Sequence, residues 1–163
     1  MAEGTKTRRK HARLSKRRAA RFAAIQALYQ IELTAADPLQ IVVEFQNHRL
    51  PQLLEPLGQG SPDVDDSHFQ SLVTGVSADI ASLDAKLTPH LVNGWTLQRC
   101  GYLLRACLRS AAFEIIGRHD VPPKSAIAEY VRIGEMFLGD KQAGVINAVL
   151  DRLARQERPE LFD

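Results

Sequence analysis

The chain has 163 residues, a length typical of one domain, with 45% hydrophobic and 25% charged residues. These proportions are typical of a soluble globular protein that buries enough surface to fold without disulfides or metals. No apolar run approaches the length of a membrane-spanning helix, and two cysteines are too few for a disulfide scaffold. We therefore expect a cytoplasmic, single-domain protein.

The net charge of +2 hides a strong asymmetry along the chain. Residues 1–21 hold nine Lys or Arg and one acid, a net charge of +8, whereas the remaining residues hold twelve bases and eighteen acids, a net charge of −6. A basic segment on an acidic body is typical of a protein that binds a polyanion. No apolar stretch follows the charges as in a secretory signal, and a mitochondrial presequence is disfavoured because the segment continues into a core-like helix.

Apolar residues at helical spacing predict helices throughout the chain, and no alternation is long enough to build a sheet. The first predicted helix runs from about Leu14 to Leu33. A second begins after Asp37, a capping residue followed by proline, although its residues 41–43 could alternatively form a short strand.

A connection rich in proline and glycine over residues 51–64 separates these helices from the next. The third predicted helix follows an apolar stripe from Phe69 to Leu87. After a break at residues 89–94, a long helix is predicted from about Thr96 to Ile116, and its wide apolar face suggests the central position. Two further helices complete the pattern.

These elements predict an all-α fold, a bundle of about six to seven helices in two small packed lobes. The predicted domain spans residues 13–155. Its parts are a flexible basic arm (1–12), two lobes (about 13–88 and 95–155) and a polar tail (156–163).

Nothing in the chain indicates catalysis, a metal or a cofactor. The phosphate-binding, zinc-protease and hydrolase motifs are absent, and Gly58-Gln59-Gly60 is interpreted as a loop. The five histidines are scattered, which favours surface or capping roles. Cys100 and Cys107, about 10 Å apart on one predicted helix, are expected to be small core residues.

The basic segment is the predicted binding site. Arg13, Arg17 and Arg21 recur every fourth residue and would form a stripe about 12 Å long on a helix. Like charges at this spacing repel one another, so their gathering indicates a negatively charged partner, and arginine-rich segments are common among RNA binders. The predicted RNA-binding residues are Lys10, Arg13, Lys16, Arg17, Arg18, Arg21, Gln26, Tyr29 and Lys141.

Three of these residues extend the site beyond the basic segment. Gln26 and Tyr29 are candidates for hydrogen bonding and stacking with bases, although Tyr29 also belongs to the apolar stripe. Lys141 lies beside a predicted helix start, where unpaired N–H groups can bind phosphate, while Asp140 acting as a plain helix cap is the alternative.

The chain also resembles a known family. Arg18-x-x-Arg21-x-x-x-x-Gln26-Ala-Leu-Tyr29 resembles the first helix of the NusB family of bacterial transcription antitermination factors. Three further segments resemble the family in the same order. They are Phe69-x-x-Leu72-Val73-x-Gly75-Val76 with Leu83-Asp84, Leu104-x-x-x-Leu108-Arg109-x-Ala111-x-x-Glu114 with Asp120-Val-Pro, and Val145-Ile-Asn-Ala-Val-Leu-Asp151.

The resemblance, from about residue 13 to 155, implies an all-helical fold of two lobes and a role in processive antitermination, chiefly on ribosomal RNA operons. The implied partners are boxA RNA, the ribosomal protein NusE and the transcription elongation complex. Arg17, Arg18, Arg21, Gln26 and Tyr29 carry over onto the implied RNA surface. Val145 departs from the pattern, since relatives commonly have an aromatic residue there.

Alternatives remain open at this point. The chain could be a helical adaptor whose basic arm grips an acidic protein, and a helical face could pair two copies into a homodimer. An enzyme module is disfavoured, although NusB-like modules precede RNA cytosine methyltransferases. Glu114 is expected to pair with Arg118 at i+4, and Arg109 and Asn147 are expected to be structural, with the NusE surface as the alternative.

Overall fold

The computed structural model describes residues 2–53, 63–92 and 94–162. Of residues 2, 3, 7–15, 51 and 53 it describes the helical backbone alone, so the side chains of Lys10 and Arg13 lie outside the described part. The described ranges contain eight α-helices, which confirms the all-α class with more helices than predicted. They are α1 (Ala2–Thr34), α2 (Pro38–Glu44), α3 (Leu50–Leu53), α4 (Asp66–Ala78), α5 (Ile80–Leu87), α6 (Tyr102–Gly117), α7 (Pro123–Leu138) and α8 (Asp140–Glu157).

The first helix is longer than the sequence predicted, and its residues 19–25 are buried. It begins at Ala2 rather than Leu14, so the described residues of the predicted arm form the first turns of α1. Its alanines are fully buried at positions 19, 20, 23, 24 and 27. Small side chains let helices approach closely, and α1 packs against both α4 and α6. The centre of the protein is therefore shared by α1 and α6, rather than belonging to α6 alone.

Two segments predicted as single helices are interrupted. The predicted helix over residues 69–87 is divided into α4 and α5 by Asp79, whose backbone angles are φ −134° and ψ 26°. The helix predicted from Thr96 begins only at Tyr102, after a 3₁₀ turn that ends at Cys100. Gly101, with φ 77°, takes a left-handed conformation that glycine adopts without a Cβ clash.

Capping chemistry explains some of the helix starts. The Asp37 carboxylate accepts a 3.0 Å hydrogen bond from the Leu39 N–H at the start of α2, as predicted, and residues 41–43 are helical rather than a strand. At α8 the cap residue is Gly139, with φ 90°, and Asp140 is the first helical residue without a capping bond from its side chain. The alternative in which Asp140 caps this helix is therefore wrong.

Aromatic contacts connect α1 with the C-terminal helices and join the N-terminal helices to one another. The rings of Phe22 in α1 and Phe137 in α7 stack at 4.8 Å, while Phe45 and Phe69 stack at 6.1 Å. One hydrophobic cluster includes buried residues from Ala19 to Ala154. Across the described ranges, no helix combines the length and apolar character needed to cross a bilayer.

Candidate nucleic-acid interface

Two arginines of the predicted site lie on the partly exposed face of α1, and both are already paired. Arg17 Nη2 donates a 3.0 Å hydrogen bond to Asp120, and its Nε lies 3.7 Å from Asp65. Arg18 donates from Nε and Nη2 to the two oxygens of Glu129, each at 2.9 Å. The arginine side chains are 20% and 29% exposed. The structure therefore brings Arg17 and Arg18 together at the surface, each bound to a carboxylate.

The carboxylates that hold these arginines stay ionised. Hydrogen bonds from Arg118, at 3.0 and 3.1 Å, and from Arg17 hold the pKa of Asp120 well below its usual range. Burial alone would raise the pKa of Glu129, but the hydrogen bonds and charge of Arg18 outweigh it and lower that pKa. Both carboxylates are therefore charged at neutral pH.

The third arginine of the predicted stripe faces the interior. Arg21 is 2% exposed, and its Nε and Nη2 donate to the two carboxylate oxygens of Glu114, each at 2.9 Å. The Glu114 carboxylate also lies 3.0 Å from His68 Nε2 and accepts a 2.5 Å hydrogen bond from the Tyr130 hydroxyl. Arg21 therefore has no surface to offer a ligand and instead fixes α1 onto α6.

Charge compensation makes this buried cluster possible. Burial opposes ionisation of Glu114, but the hydrogen bonds from His68 and Arg21 prevail and hold its pKa at about 2. The sequence-based expectation that Glu114 pairs with Arg118 is wrong, because Arg118 binds Asp120 instead. The expectation of surface or capping histidines is wrong for His68, which is 1% exposed.

Lys16, Lys141 and Arg132 are exposed cations that form no ion pair within the described part of the chain. Lys16 precedes Arg17 on α1, and Lys141 is the second residue of α8. Arg132, exposed on α7, was not predicted from the sequence, although its charge acts on the Glu129 carboxylate.

Gln26 and Tyr29 line one groove of about 410 Å³. Both are partly buried, and the Tyr29 ring meets the exposed Tyr102 edge to face at 5.8 Å. Tyr29 is therefore partly packed in the core and partly exposed, and the groove beside it remains open. The other lining residues are Gln30, Leu33, Phe45, Arg49, Leu103 and Phe137.

A separate set of ion pairs joins α6 to α5 and to the end of α1. Arg109 donates from Nε and Nη2 to Asp84, each at 2.8 Å, which agrees with its expected structural role. Arg105, 8% exposed, donates to Glu32 at 2.8 Å. Asn147 is exposed on α8.

The described residues contain no group of three or more His, Cys, Asp or Glu that could hold a metal ion. Cys100 lies in the 3₁₀ turn rather than on the same helix as Cys107, and both thiols are buried and unbridged. Burial raises the pKa of Cys107 to about 12.

Comparison with known proteins places this arrangement in a family. Residues 18–155 match the model of the NusB family. The transcription antitermination protein NusB of Sinorhizobium fredii is 43% identical over 146 residues, which cover 90% of each chain. NusB of Rhizobium johnstonii is 41% identical over 155 residues, covering 95% of this chain and 96% of the relative.

Solved structures share the fold at lower identity. T. maritima NusB superposes with a TM-score of 0.69 and 24% identity, covering 90% of this chain and 96% of its own. A chain in the crystal structure of the antitermination factors NusB and NusE in complex with double-stranded RNA has a TM-score of 0.67 and 21% identity, with 86% and 97% coverage. The family match and the relatives above 40% identity extend over nearly the whole of the helical bundle, so the chain belongs to the NusB family of transcription antitermination proteins.

Proposed function

We propose that the protein is a transcription antitermination factor that binds boxA RNA together with NusE, chiefly on ribosomal RNA operons. The observation that carries this proposal is the 43% identity to an antitermination protein over 90% of both chains. The structure of NusB and NusE with double-stranded RNA, which shares the fold, supports the choice of the two partners. The protein would act without a cofactor or catalysis, in the cytoplasm, as part of the transcription elongation complex.

The proposed RNA surface is centred on the exposed face of α1. Lys16, Arg17 and Arg18 would contact phosphates, and phosphate contacts position a protein on RNA without reading its sequence. Gln26 and Tyr29, in the open groove, would contact bases through hydrogen bonds and stacking. The surface also includes Lys141 and, from the sequence alone, Lys10 and Arg13.

Arg21 has a different role in this proposal. Its guanidinium is buried against Glu114, so it would position the helix that carries Lys16, Arg17 and Arg18 rather than touch RNA.

The proposed division into lobes of residues 13–88 and 95–155 rests on the sequence pattern, since α1 itself packs on helices of both groups.

The test is fluorescence anisotropy with labelled boxA-like RNA and a scrambled RNA of equal length, at about 150 mM salt, with and without NusE. We expect preference for the boxA-like RNA, with tighter binding when NusE is present. Equal, weak binding to both RNAs that NusE leaves unchanged would overturn the proposal. That result would favour the adaptor alternative, in which the basic face of α1 binds an acidic protein.

A further inference from the structure

The arginines proposed to meet RNA phosphates are held by carboxylates that have the same chemistry as a phosphate. Glu129 binds Arg18 through the Nε–Nη2 edge, the same forked edge that binds a phosphate in a bidentate manner. Asp120 occupies Nη2 of Arg17 at 3.0 Å. A phosphate can use these N–H groups only by displacing or sharing the carboxylate.

The local charges also cancel. Arg17, Arg18 and Arg118 supply three positive charges, and Asp65, Asp120 and Glu129 supply three negative charges within 4 Å of them. Attraction of a polyanion depends on cations that neutralise its phosphates. The ion-paired groups therefore offer a phosphate no net charge, and the positive charge beside them comes from the unpaired Lys16 on α1 and Arg132 on α7.

We propose that Asp120 and Glu129 are intramolecular competitors of RNA, occupying the guanidinium groups of Arg17 and Arg18 and thereby setting the affinity of the α1 face for polyanions. The inference rests on the proposed function, because it assigns these arginines to RNA. RNA binding replaces carboxylate contacts with phosphate contacts. Each arginine therefore contributes to the free energy of RNA binding only the difference between its phosphate contact and its carboxylate contact.

An alternative role for the acids predicts the opposite sign. If Glu129 oriented Arg18 for RNA, removing its charge would release the arginine and weaken binding. The bidentate geometry favours competition, because Glu129 takes the forked edge of the guanidinium, and the Glu129 side chain is only 13% exposed, which leaves little room for a bridging phosphate.

The experiment compares Glu129→Gln and Asp120→Asn with Glu135→Gln, each measured in the full chain. Glu135 is exposed on α7, and no described ion pair joins it to α1, so its substitution removes the same charge without releasing an arginine. The probes are labelled boxA-like RNA and poly(U), titrated at several salt concentrations. Thermal unfolding of each variant verifies that it is folded.

We expect Glu129→Gln and Asp120→Asn each to tighten binding about two- to fivefold beyond the effect of Glu135→Gln, the range that surface ion pairs span. Each released arginine should also make the log–log salt slope more negative by about 0.7, the value for one single-strand phosphate contact. Unchanged or weaker binding by both variants, relative to the control, would overturn the proposal.

A double-mutant cycle tests whether the increase in RNA affinity depends on the Arg18 guanidinium. In an Arg18→Gln background, Glu129→Gln should tighten binding no more than Glu135→Gln does, because no guanidinium remains to be released. A gain that persists in that background would overturn the assignment to Arg18. The poly(U) series separates this inference from the proposed function: failure of boxA preference with tighter poly(U) binding by the variants would remove only the antitermination role.

Discussion

The Arg21 guanidinium and the Glu114 carboxylate form two parallel hydrogen bonds of 2.9 Å, and their side chains are 3% and 0% exposed. The pair joins α1 to α6 at the centre of the protein, and His68 and Tyr130 form further hydrogen bonds to the carboxylate. A buried charge pair of this kind contributes to stability only while both partners are present, because each charge alone is costly to bury.

Removal of one partner should destabilise the fold strongly. Arg21→Ala or Glu114→Gln leaves an uncompensated charge in the core, and such changes cost about 3–5 kcal/mol. Urea unfolding followed by circular dichroism measures the loss. Arg132→Ala, at an exposed position on α7, is the control and should change the free energy of unfolding by no more than about 0.5 kcal/mol. Equal effects of Arg21→Ala and Arg132→Ala would contradict the central role of the pair.

Acid should weaken the fold through Glu114. Its pKa is about 2 in the folded protein against an ordinary value of 4.5, so the unfolded chain takes up the proton first as the pH falls. The stabilisation is complete above about pH 5 and is lost as the pH falls through about 2, and it amounts to about 3 kcal/mol. Urea unfolding at several pH values should show a flatter dependence for Glu114→Gln than for the natural chain. Asp120 and Glu129, whose pKa values are also lowered, contribute the same slope to both proteins.

The helical pattern was predictable from the sequence, but the partner of each arginine was not. Arg17 and Arg21 stand at i and i+4, yet one is partly exposed and the other is buried. Glu114, which decides the difference, lies 93 residues further along the chain. One signal was available: Arg21 stands within an apolar run of α1, and Glu114 stands within an apolar run of α6. A charged residue inside each of two apolar helices indicates a buried pair.

The residues at which the predicted helices break could not be predicted from the sequence, for a related reason. Asp79 and Gly101 interrupt segments whose apolar spacing continues without a change of phase on both sides. Periodicity reports which face is buried, whereas the backbone angles at a single residue decide where a helix ends. The groove beside Tyr29 could not be predicted either, because residues from α1, α6 and α7, which are distant in the sequence, line it together.

Lys16 gives a test of the exposed cations. It is exposed and has no ion pair within the described residues, so a phosphate contact costs no internal partner. Lys16→Ala should weaken RNA binding and make the log–log salt slope less negative by about 0.7. Lys86→Ala, an exposed lysine on α5 that pairs with Glu157, removes the same charge and should leave the slope unchanged. If both variants gave the same slope as the natural chain, the phosphate contact would lie elsewhere.

The two cysteines should be inert in the native protein. Both are buried, burial raises both thiol pKa values, and the thiolate is the reactive form. Iodoacetamide at neutral pH should therefore modify neither residue in the folded chain, while both react after unfolding in urea. Mass spectrometry counts the adducts. Rapid modification of Cys107 without denaturant would show that the core around α6 opens readily.

Tyr29 offers the most direct test of base recognition. Its ring is partly buried against Tyr102, and the groove shared with Gln26 leaves part of it open. If a base stacks there, Tyr29→Ala should weaken binding to boxA-like RNA by about 1–3 kcal/mol, whereas Tyr29→Phe, which keeps the ring, should lose much less. Tyr102→Ala disturbs the same aromatic pair from α6 and controls for a shift of the Tyr29 ring. Affinity that tracks the thermal stability of the three variants, rather than the presence of the Tyr29 ring, would make Tyr29 a packing residue and leave base recognition to Gln26.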